Sequence, residues 1–264
     1  MIINHDKKYI FVGLPFSASS AISKELLECY EGEFILSKHA NIPTLLRLRP
    51  DIDIAQYCIF AVVRDPVDIE WTKYNKILTD AYGAHTNPDY FIENGGWVTK
   101  RARSIYKKIT ENNLNFEEYL RHIYKLYPFD NDLSINAKYL NRVIRFEHLL
   151  DDFKDTLLHL DIKPVRDLPI KNKTEKVAQN RELSKGTIRK IFGAHYWYNK
   201  KFYSKHHKIN IFEKVYFRAL LQPLRFIKRL RFDVFRSKQE IDFLMEPHNY
   251  NDKESSPSLI KKIR

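Results

Sequence analysis

Tyr9-Ile10-Phe11-Val12-Gly13-Leu14-Pro15-Phe16-Ser17-Ala18-Ser19-Ser20 is the stretch whose reading decides the fold. The first four residues form an apolar, β-prone run that stops at Gly13. Beyond Ala21, residues Ile22, Leu26 and Leu27 recur at helical spacing, so a strand, a loop and a helix follow one another. A loop in that place attracts phosphate or sulfate, because backbone N–H groups and the helix dipole converge there. Its length fits a phosphate loop of the form G-x-x-x-x-G-K-[ST]. Ala18 and Ser19, however, stand where the second Gly and the Lys belong, which disfavours a Walker-type ATPase or kinase. The hydroxyls of Ser17, Ser19 and Ser20 are candidate donors to an oxyanion, although the same serines also suit a plain helix N-cap.

Outward from this loop the pattern repeats. Glu33 to Leu36 reads as a second strand ending in Ser37-Lys38-His39. Cys58 to Val63 reads as a third, ending in Arg64-Asp65-Pro66 before a helical segment that runs to about Leu78. Strands alternating with helices imply an α/β fold of three layers with a central parallel sheet, and the wholly apolar Cys58–Val63 run belongs in its interior. Periodicity fails over residues 79–115, where Gly83, Pro88, Gly95 and Gly96 argue for a long looped insertion. Further on, the pattern predicts a helix from Phe116 to Tyr127 and a short strand from Asn141 to Arg145. A helix from Asp152 to Leu160, a loop through Pro164 to Lys176 and a helix from Ser184 to Phe202 complete it.

Composition bounds the function. The chain has 264 residues, 44% of them hydrophobic and 14% aromatic, so it can bury a core and is not globally disordered. A net charge of +12 implies an anionic partner. Between Lys200 and Arg236, eleven Lys and Arg face only Glu213 and Asp233, so most of that excess is local. Residues 206–245 accordingly read as a basic amphipathic helical extension of a 1–205 domain, and 246–264 as a disordered tail. Three readings of the extension stand side by side: peripheral contact with a membrane, a patch for an anionic polymer, or simple packing on the main domain. No sequence motif of nucleic-acid binding accompanies the charge, so no nucleic acid is expected. Cys29 and Cys58 form neither a disulfide framework nor a zinc-ligand spacing, so no metal is expected either. No signal peptide or apolar run of membrane-spanning length is evident, and a cytoplasmic setting is the default.

The second informative segment is Val63-Arg64-Asp65-Pro66-Val67-Asp68-Ile69-Glu70-Trp71-Thr72, where an apolar strand delivers an arginine at its C-terminal end. Open α/β sheets bind ligands at such ends. The same residues also suit a local role, with Asp65 as N-cap and Pro66 at the first helical position. Taken together and in this order, the two segments resemble the sulfotransferase superfamily that uses 3′-phosphoadenosine 5′-phosphosulfate (PAPS), a P-loop-like fold. Its loop P-K-T-G-S-T-S corresponds to Pro15–Ala21, and its V-R-N-P-Y-D-R-L-V-S junction to Val63–Thr72. Weaker matches keep the register: Ser37-Lys38-His39-Ala40, the helix start at Asn115-Phe116-Glu117-Glu118, Arg145-Phe146-Glu147-His148-Leu149, and Leu168-Pro169-Ile170-Lys171-Asn172-Lys173-Thr174.

The resemblance implies that Ser17, Ala18, Ser19 and Ser20 cradle the 5′-phosphosulfate while Arg64 and Thr72 hold the 3′-phosphate. Sulfuryl transfer to a hydroxyl of a carbohydrate or small molecule, without a metal, is the expected activity. Two departures stand out: the family's loop Lys falls on Phe16, and its loop Gly on Ala18. A replacement cation is available at Lys24, at Lys38, or around Lys100, Arg101 and Arg103. His39 is the candidate general base and His85 the second choice, whereas His206 and His207 fit a solvated basic face. Trp97 and Arg101 are candidate contacts to the acceptor, against the simpler reading of a loop folded on its own cluster. The rival function is a catalytically impaired relative that binds a nucleotide, a membrane surface or an anionic polymer.

Overall fold

The apolar run that leads into the loop pairs with the apolar run that leads into Arg64. In the computed structural model, which describes residues 1–123, 132–169, 181–203 and 215, β2 (Tyr9–Phe11) lies parallel to β4 (Cys58–Val63). The register sets Phe11 opposite Phe60. β5 (Arg142–Arg145) runs parallel on the far side of β4, with Val63 opposite Arg145. The protein is thus α/β, and the apolar β4 is an interior strand as its composition predicts.

The sheet is mixed, however, not wholly parallel. Residues Ile2–Asn4 form β1, which the sequence reading had not set apart from the run that follows. β1 lies antiparallel between β2 and β3 (Glu33–Phe34), giving the order β3-β1-β2-β4-β5. The cause is the short turn at residues 5–8: four residues can join only antiparallel neighbours. Asn4 fixes this corner, donating from Nδ2 to the carbonyls of Tyr30 and Glu31 and accepting from the Lys7 N–H.

Contacts divide the described chain into two units. The first holds 1–65, 132–169 and 192–203, and the second 66–123 and 181–191. In the first unit, one sheet face (Ile2, Tyr9, Phe11, Phe60, Val62, Ile144) packs with Ile22 and Leu26 of α1 (Ser19–Cys29) and Phe153 and Leu157 of α7 (Leu149–His159). The alternate residues Ile10, Ile59, Ala61 and Val63 are buried as well, so β4 is covered on both faces. Glu25 of α1 is fully buried, and Arg166 grips it through Nε and Nη2 at 2.9–3.2 Å, tying the 162–169 segment down. Also in this unit are α2 (Ile42–Leu48), capped by Asn41, α6 (Asp132–Ala137) and α9 (Tyr196–Phe202).

The second unit contains α3 (Pro66–Leu78), α4 (Lys100–Glu111) and α5 (Phe116–Ile123). α4 corrects the looped reading of 79–115. Three short 3₁₀ turns precede it, and Thr99 caps its first turn. Its charged run Lys100-Arg101-Ala102-Arg103 hides a helix whose buried contribution is little more than Ile109. α5 begins with reciprocal caps, Glu118 N–H to Asn115 Oδ1 and Asn115 N–H to Glu118 Oε2. The helix read from Ser184 to Phe202 is interrupted at His195, between α8 (Lys185–Ala194) and α9. The basic extension 206–245, apart from position 215, and the 246–264 tail lie outside the described residues.

Phe60 stands at the centre of this packing, in ring contact with Tyr9 and Phe11. Phe60→Ala is expected to lower the unfolding free energy by about 3–5 kcal/mol, read from urea denaturation.

Candidate functional site

The site is built where β2 and β4 end. Gly13 closes β2, and a Cβ there would approach the Lys38 carbonyl oxygen to 2.6 Å, so only glycine lets the 37–39 segment lie against the loop. The loop then turns through two left-handed residues that are not glycine, Phe16 (φ 59°) and Ala18 (φ 57°). Ala18 is the N-cap of α1 and makes no side-chain cap. Its carbonyl accepts from the N–H groups of Ala21 and Ile22, while the groups at the very start of the helix have no side-chain acceptor at the cap.

Three contacts from other parts of the first unit converge on this loop. Lys38, which is buried, donates from Nζ to Ser20 Oγ at 2.6 Å. Arg64, half-buried at the end of β4, donates from Nη1 to the Phe16 carbonyl at 2.9 Å, and its guanidinium lies 4.1 Å from the centre of the Phe146 ring. His39 Nδ1 lies 2.6 Å from the Gly13 carbonyl. A carbonyl only accepts, so Nδ1 carries the proton and Nε2 is the basic atom of the neutral ring. Part of the ring meets solvent, yet the surrounding protein disfavours its charged form. Desolvation of the ring by the protein around it lowers its pKa to about 4, with the Gly13 carbonyl opposing the shift and Lys38 adding to it.

The structure thus brings Ser17, Ala18, Ser19, Ser20, His39 and Arg64 to one place. Ser17 sits there in a different role from the expected one. Its hydroxyl donates to the Leu14 carbonyl at 2.7 Å and is buried, so it braces the loop. Of the replacement cations, Lys38 is at the loop, whereas Lys24 pairs with Glu28 at 3.0 Å one turn along α1. Tyr198 escaped the sequence reading altogether. Its hydroxyl accepts from the Arg64 N–H at 2.7 Å and donates to the Arg64 carbonyl at 2.9 Å, clamping the backbone that aims the guanidinium. No local pattern marks a tyrosine in a Tyr196-Trp197-Tyr198 run as the partner of a residue 134 positions earlier.

Thr72, Trp97 and Arg101 belong to the second unit. Thr72 donates to the Asp68 carbonyl one turn back on α3. Trp97 is exposed and lies against Tyr90, and Arg101 is exposed on α4. Arg103 is engaged with Glu93 and the Phe91 ring. His85 is held by Asp80 and stacks on Tyr106. A cavity of about 690 Å³ in this unit is lined by Glu117, Glu118, Glu182 and Arg121 among others. Its carboxylates suit no anion, and Glu117 anchors the start of α8 through the Ser184 N–H and the Thr187 hydroxyl.

Among the described residues no cluster of His, Cys, Asp and Glu could hold a metal ion, and no helix is long and apolar enough to cross a membrane. Comparisons of the chain with protein-family models, with curated proteins and with solved structures give no match.

Two outcomes test this geometry. Ala18→Gly relieves the left-handed strain and is expected to raise the unfolding free energy by about 0.5–1 kcal/mol in chemical denaturation. His39 titrates lower in the folded chain, at about 4, than in the unfolded one, at about 6.5. Between those values the unfolded chain binds more protons, so His39 withdraws stability as pH falls through that window. His39→Asn keeps the donor to Gly13, and its stability is expected to fall less than wild type between pH 7 and pH 4.

Proposed function

We propose that the protein is a PAPS-dependent sulfotransferase of the P-loop-like type, moving a sulfuryl group to a hydroxyl of a carbohydrate or small molecule. The observation that carries this reading is the convergence of Lys38, His39 and Arg64 on the loop before α1. A helix start flanked by two cations suits a phosphosulfate, and an imidazole with a defined tautomer suits proton removal.

In the proposed reaction the acceptor oxygen attacks sulfur in line and the bond from sulfur to the bridging phosphate oxygen breaks. The acceptor proton passes to His39 Nε2 and then to solvent. The products are the sulfate ester and adenosine 3′,5′-bisphosphate. Negative charge grows on the departing phosphate, and Lys38 is the cation assigned to neutralise it in place of the lysine that Phe16 displaces. A bound dianion beside His39 also raises its low pKa, bringing the base closer to neutral pH. Backbone N–H groups of Ala18, Ser19 and Ser20 hold the 5′ end and Arg64 grips the 3′-phosphate.

Calorimetric titration with adenosine 3′,5′-bisphosphate is the first test. Micromolar binding is expected, weakened about 10–100-fold by Lys38→Met and at least as much by Arg64→Ala. Absence of binding by folded wild type overturns the reading. Where binding holds, turnover with radiolabelled donor separates an enzyme from a binding module. His39→Asn is then expected to lower kcat about 10²–10⁴-fold with binding of the bisphosphate retained.

A further inference from the structure

The second unit carries a surface that takes no part in the donor site. α4 presents Lys100, Arg101, Ser104, Lys107 and Lys108 to solvent, while Arg103, Tyr106 and Ile109 face the protein. Lys100 and Arg101 stand about two turns, roughly 10 Å, from Lys107 and Lys108, so the helix displays two cationic pairs along one side, of which Lys107 also pairs with Glu111 at 3.5 Å.

Immediately before this helix the chain makes a tight turn. The Val98 N–H donates to the Tyr90 carbonyl at 2.7 Å and the Ile92 N–H to the Val98 carbonyl at 3.1 Å. Gly95 is left-handed (φ 87°), and a Cβ at Gly96 would meet the Tyr90 carbonyl carbon at 2.0 Å. Such a turn holds its side chains in fixed positions. What it displays is apolar: Ile92 is 55% exposed and Trp97 49%. The turn is anchored to α4, because Arg103 pairs with Glu93 and stacks on Phe91, the two neighbours of Ile92. Trp97 precedes Lys100 by only three residues. Tyr82, 70% exposed, lies in the same segment of chain.

We infer that this face is a docking surface for an anionic lipid bilayer. Three features select that occupant. Tryptophan is favoured at the level of lipid headgroups, where its ring is buried and its N–H stays wet. Ile92 offers no hydrogen bond to a sugar or a base and gains only by leaving water, which the acyl boundary provides. The cationic pairs of α4, the helix to which Arg103 anchors the turn, attract lipid phosphates. A linear polyanion would engage the lysines and leave Ile92 in water. The inference stands apart from the donor site and from the basic stretch beyond residue 205.

Vesicles of phosphatidylcholine with and without phosphatidylglycerol test it on the full chain. Brominated phosphatidylcholine quenches tryptophan fluorescence only on contact, and the chain has three tryptophans, Trp71, Trp97 and Trp197. Quenching is expected with anionic vesicles, at least halved in Trp97→Phe. The double variant Lys107→Glu/Lys108→Glu is expected to lose about tenfold or more in vesicle affinity. Each variant should keep wild-type circular dichroism and bisphosphate affinity, which separates failure here from failure of the donor reading. Quenching that persists unchanged in Trp97→Phe overturns the inference even if the chain binds vesicles elsewhere. So does binding to heparin or single-stranded DNA without binding to anionic vesicles.

Discussion

The parallel pairing of β2 with β4 is the constraint from which the site follows. Parallel neighbours end at the same edge, so Gly13 and Arg64 arrive together although 50 residues of chain lie between them. The pairing continues past the strand, with the Val12 N–H donating to the Phe60 carbonyl at 2.9 Å. Phe11 and Phe60, facing the same core, resist any slip in register, because a shift of one strand by one residue would turn its ring toward the other face. An arginine aimed by a buried strand loses little conformational freedom when it binds, and the Tyr198 clamp removes more of it.

The loop itself is a strained element held from outside. Left-handed backbone at Phe16 and Ala18 costs on the order of 1–2 kcal/mol each. That cost is offset by one contact within the loop, Ser17 to Leu14, and by three it cannot make alone: His39 to the Gly13 carbonyl, Arg64 to the Phe16 carbonyl and Lys38 to Ser20. Three of the four come from residues that are themselves candidates for chemistry. The same hydrogen bonds therefore shape the loop and fix the orientation of the groups around it, which is how strain accumulates at functional sites.

Much of this was legible in the chain, for identifiable reasons. The runs before Gly13 and Arg64 are apolar because β4 is buried on both faces, and that same burial makes them readable. The proximity of Lys38 and His39 to the loop followed from placing them at a strand end. β1 was harder, since three residues carry no period and their pairing is decided by the turn after them. α4 was misread because its stabilising groups are solvated: a helix with one well-buried side chain has almost no apolar stripe to detect. Tyr198 lay beyond reach, because its contact with Arg64 is set by the tertiary path of α9 and by no local pattern.

The position of Lys38 bears on the most conspicuous departure in the loop. On the proposed reading, catalysis needs positive charge at a point in space, near the oxygen that leaves sulfur, and the chain position supplying it is immaterial. Phe16 offers no charge to the loop, but its backbone carbonyl receives Arg64, and the neighbouring segment sends a buried ammonium to Ser20. A charge held in a buried place acts through a lower effective dielectric than one on an exposed loop and is screened less by salt. The close approach that Gly13 permits between the loop and the 37–39 segment is what makes the exchange feasible. On the proposed reading the glycine at the end of β2 and the lysine after β3 work as one device, with Lys38 carrying the charge that Phe16 does not.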